Sequence, residues 1–129
     1  MRKALWMILL AGVSGSAAAD VWFEIGVNEK FTAYADPATI KKEGNITRMW
    51  NMFDYKAPQV TETGKKYLSV KLHYEYDCKD KRARGLAATS FAEHQAKGEK
   101  IADSNMSLPV RAVAPGSEDE MLLNYACSK

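Results

Sequence analysis

The 129 residues include two cysteines, two histidines and four prolines, and each scarcity closes off a class of function. His73 and His94 lie far apart in the chain, and neither stands in a spacing that would hold zinc with the two cysteines. Both read as solvated residues, His73 on the polar side of a strand. No glycine-rich phosphate loop is present, and neither Ser69 nor Ser117 sits in a G-x-S-x-G elbow. The chain thus presents no nucleophile–base pair and no metal set. It reads as a non-enzyme that needs no cofactor. Charge of one sign is also missing: 18 Lys and Arg face 16 Asp and Glu. A chain so balanced gives no reason to expect nucleic acid as a partner.

The apolar run is short too. Arg2 and Lys3 precede an uncharged stretch, Ala4 to Val13, and then small residues ending in Ala17-Ala18-Ala19. A membrane-spanning helix needs about 20 apolar residues, and this run falls short of that. A basic start, a brief apolar core and an A-x-A site form the layout of a secretory leader. Residues 1–19 are expected to be cleaved, so that residues 20–129 form one exported domain, periplasmic or secreted. Asp20 stands where a lipoprotein would carry cysteine, so no lipid anchor is expected. Loss of Arg2 and Lys3 leaves basic and acidic residues equal, at 16 each. No other run is long enough for a transmembrane segment.

In an oxidising compartment, Cys78 and Cys127 allow one intramolecular bridge, the alternatives being free thiols or an intermolecular link. Local pattern favours the bridge. From Tyr67 to Cys78 the residues alternate, with Leu68, Val70, Leu72, Tyr74, Tyr76 and Cys78 on one side of a half-buried strand. Near the C-terminus, Pro115-Gly116 marks a turn, and Ser117 precedes Glu120 by three residues, the spacing of a capping box. Glu118 and Asp119 add negative charge to the first helical turn. Leu122, Leu123, Ala126 and Cys127 share the apolar face of this short helix. Cys78–Cys127 then ties the helix to the sheet.

The remaining chain reads as short strands: Val21–Ile25, Lys30–Asp36, Ile46–Tyr55 after a Gly44-Asn45 turn, and Val110–Ala114. Ala38–Glu43 reads as a helical turn. Lys56–Lys66 and Lys97–Leu108 read as loops, and Arg82–His94 suits helix or strand equally. The whole is an α+β domain, a small antiparallel sheet with a C-terminal helix on one face. The third strand is apolar on both sides, with Ile46, Trp50 and Met52 on one and Met49, Phe53 and Tyr55 on the other. A homodimer through the Met49–Tyr55 strand, or burial within the chain, would cover its outer side. Two basic clusters remain, Lys65-Lys66 with Lys71, and Lys79 to Arg84. Each reads as a solvated turn or as a patch for an acidic partner.

These residues resemble the surface-adhesin protein E-like family of Gram-negative bacteria. The likeness runs through Trp22, Tyr34-x-Asp36, the Trp50 strand ending at Asp54-Tyr55, Lys65-Lys66-Tyr67-Leu68-Ser69-Val70-Lys71, Tyr76-Asp77-Cys78, Pro115-Gly116-Ser117 and Cys127. It implies a sheet of about six strands with a disulfide-bonded C-terminal helix, and favours strand for Arg82–His94. It also implies adhesion to extracellular-matrix proteins, with ligand contact carried over to Lys65, Lys66, Tyr67 and Lys71. The expected function is a non-enzymatic binding domain for a protein or polyanion. The alternative is a periplasmic structural or inhibitory module that docks on an envelope protein.

Overall fold

The computed structural model describes residues 21–105 and 107–129; the expected leader, residues 1–19, lies outside the described residues. Six strands follow one another across the sheet in chain order, each antiparallel to the last: β1 (Phe23–Val27), β2 (Phe31–Glu43), β3 (Ile46–Val60), β4 (Lys66–Asp77), β5 (Arg82–Phe91) and β6 (Lys100–Ser104). A two-residue strand β7 (Arg111–Ala112) pairs with the start of β5, and α1 (Glu118–Cys127) closes the chain. The Gly44-Asn45 turn forms as expected, with Gly44 at φ 61°, a region that glycine enters without a Cβ penalty.

Three expectations needed correction. Ala38–Glu43 is not a helical turn but the continuation of β2, and Lys97–Leu108 contains β6. Most of the Lys56–Lys66 loop is also strand, leaving only residues 61–65 as the connection. In two of these cases the misleading signal was proline. Pro37 and Pro58 both lie inside strands, where their lack of an N–H argues against a ladder. Each falls where the pairing shifts register, between Asp36 and Lys41 in β2 and between Asp54 and Gln59 in β3. At the first, Asp36 Oδ1 accepts from the Ala38 amide at 3.1 Å and Thr39 Oγ1 accepts from the Trp50 amide at 3.0 Å. Side chains there replace the ladder.

The helix covers one face of the sheet. Leu122, Leu123 and Ala126 pack without exposed surface on Ala35, Met49, Tyr76 and Ala83. Ser117 Oγ accepts from the Glu120 amide at 3.2 Å, as a cap should. Glu120 Oε1 returns not to Ser117 but to the Gly116 amide at 2.8 Å, one residue before the capping-box position. At the other end, Lys42 Nζ donates to the Cys127 carbonyl at 3.2 Å, a cation where the helix dipole is negative. Cys78 and Cys127 are bridged, with Cα atoms 5.8 Å apart, inside the usual range for a disulfide.

Beneath the helix, Asn51 Nδ2 donates to the Tyr76 hydroxyl at 2.6 Å, and burial pushes the Tyr76 phenol well above its ordinary pKa. In the strand apolar on both sides, Met49 and Met52, on opposite faces, are both fully buried within one chain, while Trp50 and Tyr55 stay half-buried. No helix among the described residues is long and apolar enough to cross a membrane.

Candidate ligand-binding face

The helix occupies only one face, and strand alternation fixes what the other carries. Directly opposed pairs share a face: Trp50 lies opposite Asp36 on β2 and His73 on β4, Met52 opposite Lys71, Asp54 opposite Ser69, and Lys71 opposite Thr89 on β5. At one end of this face Glu75 bridges two guanidinium groups, with Arg48 Nε at 3.1 Å and Arg84 Nε at 3.0 Å. The pairing holds Arg84 to the sheet, and Arg82 lies 3.9 Å from Asp80. The Lys79 to Arg84 cluster is thus a hairpin turn whose two arginines already have acidic neighbours.

At the opposite end a short left-handed excursion, His94–Ala96, folds over the sheet, with Gln95 at φ 62° and Ala96 at φ 57°. Non-glycine residues enter this region at a cost. One carboxylate holds them there: Asp54 meets His94 Nδ1 at 2.7 Å and Gln95 Nε2 at 2.9 Å. Ser69, Asp54 and His94 are the residue types of a hydrolytic triad brought near one another. Their wiring is different. Ser69 is fully buried, its hydroxyl donating to the Glu93 carbonyl at 2.6 Å and accepting from the Ala96 amide at 2.9 Å. Its hydrogen-bonding capacity is taken up by the loop backbone.

Between these ends lies an open trough. Trp50 and His73 stack with ring centroids 4.7 Å apart and planes 7° apart, and Lys71 Nζ stands 5.4 Å from the Trp50 centroid. A groove of about 280 Å³ is lined by Trp22, Asp36, Thr39, Trp50 and Lys71. A second, of about 210 Å³, continues past Trp50 along Ala87, Thr89, Asp103, Ser104 and Asn105. His73 is therefore not a free solvated residue. Burial, and then the charge of Arg48, hold its imidazole below the usual histidine range, while Glu75 opposes them.

The sign of the consequence follows from linkage. Folding disfavours the charged ring, so the unfolded chain takes up protons first and stability falls as pH drops through the ordinary histidine range. His73→Gln is expected to flatten the melting temperature between pH 7.5 and pH 5 relative to the parent. An equally steep profile in the variant would remove His73 from the account.

The residues singled out from sequence do not converge on one spot. Lys65 and Lys66 are exposed at the β3–β4 connection, and Tyr67 packs edge-on against Tyr55 at 6.0 Å. Lys71, five positions beyond Lys66, lies roughly 16 Å further along the strand at about 3.3 Å per residue, inside the trough. Asp36 was missed as a site residue. Trp22 and Trp50 carried no binding role in the sequence either, because only the pairing of β1 with β2 and of β2 with β3 brings them together.

A sequence model of the surface-adhesin protein E family matches residues 22–128, nearly the whole described chain. The chain belongs to the surface-adhesin protein E family. Solved structures of Haemophilus influenzae protein E share its fold. One crystal form superposes with a TM-score of 0.64 at 11% identity, covering 86% of this chain and 97% of the other. Protein E from a non-typeable strain superposes at 0.58 and 14% identity, covering 90% and 80%. No curated protein matches the chain at a significant level. In this protein E-family chain, several of the residues that carry the sequence resemblance (Trp22, Asp36, Trp50 and Lys71) meet in one groove.

Proposed function

We propose that this protein E-family domain is a non-enzymatic exported binding protein that engages a protein segment or polyanion along β4, through Lys65, Lys66, Tyr67 and Lys71. The observation that carries this reading is the division of the sheet. One face is taken by the helix, and the other holds an open trough with Lys71 at its wall, while Lys65 and Lys66 stand exposed at the end of the same strand. Exposed lysines are mobile point charges, suited to acidic groups without fixed geometry.

The test is charge reversal. A variant carrying Lys65→Glu, Lys66→Glu and Lys71→Glu is expected to lose at least tenfold in binding to immobilised extracellular-matrix proteins or to a sulfated polysaccharide. Parental binding should weaken as salt rises, because exposed charges are screened. Circular dichroism should report a nearly unchanged melting temperature. Undiminished binding by the variant would overturn the reading.

A second reading, a module docked on an envelope protein, is favoured by β1. This edge strand leaves Phe23 and Val27 about half exposed beside unpaired backbone. Extracytoplasmic placement, periplasmic or released and without a lipid anchor, belongs to both readings.

A further inference from the structure

The geometry points to a second interaction surface, at the end of the sheet where the β2–β3 and β4–β5 turns meet, that docks on a membrane bearing anionic head groups. It lies at the other end of β4 from Lys65 and Lys66 and does not depend on the reading given to them.

Strand register assembles this end. Lys41 lies opposite Arg48, Arg48 opposite Glu75, and Glu75 opposite Arg84. The Cys78 amide donates to the Asn45 carbonyl at 2.8 Å, which joins the two turns. The Cys78–Cys127 bridge and the bond from Lys42 Nζ to the Cys127 carbonyl hold the chain end beside them. Two stretches far apart in the sequence, 41–48 and 75–84, thus form one surface.

That surface is positive. Residues 41–48 carry three cations and one acid, and residues 75–84 carry four cations and three acids. Lys129 and the terminal carboxylate cancel. The excess of three stands in a chain whose residues 20–129 carry basic and acidic side chains in equal number, so the molecule is electrically lopsided. The acids here are also largely spent. One carboxylate, Glu75, with a side chain 12% exposed, serves both Arg48 and Arg84. Asp77 Oδ1 accepts from the Lys79 and Asp80 amides at 3.0 Å each and so is turned to the hairpin backbone. Lys41, Lys79 and Lys81 are exposed and take part in no ion pair among the described residues.

Shape selects the partner. A polyanionic chain is held best by a cleft that lines it on two sides, and clefts that enclose a ligand measure about 300–1,000 Å³. The hollow at this end, lined in part by Ile46, Arg82, Arg84 and Val110, measures about 60 Å³. Ammonium groups on flexible stems, spread over two turns without such a cleft, match a plane of head groups better than a single strand of anions. Clusters of roughly four to eight Lys and Arg are drawn to anionic lipid surfaces in this way. Val110, 49% exposed beside the arginines, adds an apolar side chain that can enter between head groups. From Asp77 back to Lys66, β4 runs about 36 Å at roughly 3.3 Å per residue. A domain standing on this end therefore carries Lys65 and Lys66 away from the membrane.

Co-sedimentation of the purified protein with vesicles tests the inference. Vesicles of phosphatidylcholine with about 40% phosphatidylglycerol should bind it saturably at low salt and pure phosphatidylcholine should not, and the binding should fall at least tenfold as salt screens it. The combined Lys41→Glu, Lys79→Glu and Lys81→Glu variant should bind at least tenfold more weakly. These lysines give up no partner, so its melting temperature should stay close to the parent's and separate lost docking from lost folding. Val110→Ser should weaken binding severalfold, and Lys65→Glu with Lys66→Glu should leave it intact, so that the two readings fail separately. No binding to anionic vesicles, or binding indifferent to the three lysine changes, overturns the inference. Release by inorganic phosphate beyond that by chloride of equal ionic strength would mean a discrete phosphate site and overturn it. A heparin fragment held through the same three lysines, with vesicles unbound, would make this a polysaccharide surface and overturn it equally.

Discussion

Replacing Cys78 and Cys127 together by alanine is expected to lower unfolding free energy by about 4 kcal/mol. The bridge closes a loop across a sequence separation of 49 residues, and the chain-entropy model assigns about 4 kcal/mol to a loop of that length. What the bridge fastens gives a second reason for a large effect. A ten-residue helix is marginal alone, so α1 persists only while it is docked. Its three fully buried residues, Leu122, Leu123 and Ala126, are also a large part of the core. Urea titration of the variant against the parent measures the difference directly. The melting temperature should fall by on the order of 15 °C for a domain near 100 residues. A loss below about 1 kcal/mol would mean that packing alone holds the helix.

Leu122→Ala is the second large effect, with an expected cost of about 3 kcal/mol. Truncating a buried leucine removes transfer energy and leaves a cavity, and such changes cost roughly 2–5 kcal/mol. Leu122 is fully buried against a sheet surface that includes Ala35, Met49 and Tyr76. Backbone pairing makes that surface stiff, so collapse into the void is limited and the cost should sit mid-range. The same denaturant titration checks it, and a cost under about 1 kcal/mol would contradict the packing described. The two changes should not add. Each acts through the docking of α1, so a chain without its bridge has less native helix contact for Leu122→Ala to remove. A combined loss clearly smaller than the sum of the single losses is the coupling expected of sites that share one element.

How much of this was legible in the sequence depended on whether the signal was local. The alternation from Leu68 to Cys78 and the Ser117 cap are properties of a few neighbouring residues, and both formed. The match to residues 22–128 and the single bridge follow the same order of motifs that the sequence displayed. Ala38–Glu43 went wrong because Pro37 closes a strand by ordinary rules and the residues after it tolerate helix. The Asp36 and Thr39 side-chain bonds that carry β2 past the proline exist only once β3 lies alongside. Strand β6 was hidden by its position: an edge strand carrying Lys100 and Asp103 has the composition of a loop, because charge at an edge guards against stray pairing. The trough was the least visible part. Trp22, Asp36, Trp50 and Lys71 come from β1's approach and from three strands, and their meeting depends on register, which a one-residue slip would abolish.

The strictly sequential strand order has a consequence for how the molecule comes to be assembled. Each strand from β2 to β6 pairs with the one made just before it, so the sheet can zip along the chain through short connections, the kind of topology that favours rapid folding. Cys127 lies beyond every strand, at the end of α1. With no third cysteine in the chain, oxidation within one molecule has a single possible product. Such a bridge needs no reshuffling step, and it fastens the last element of the chain to the sheet.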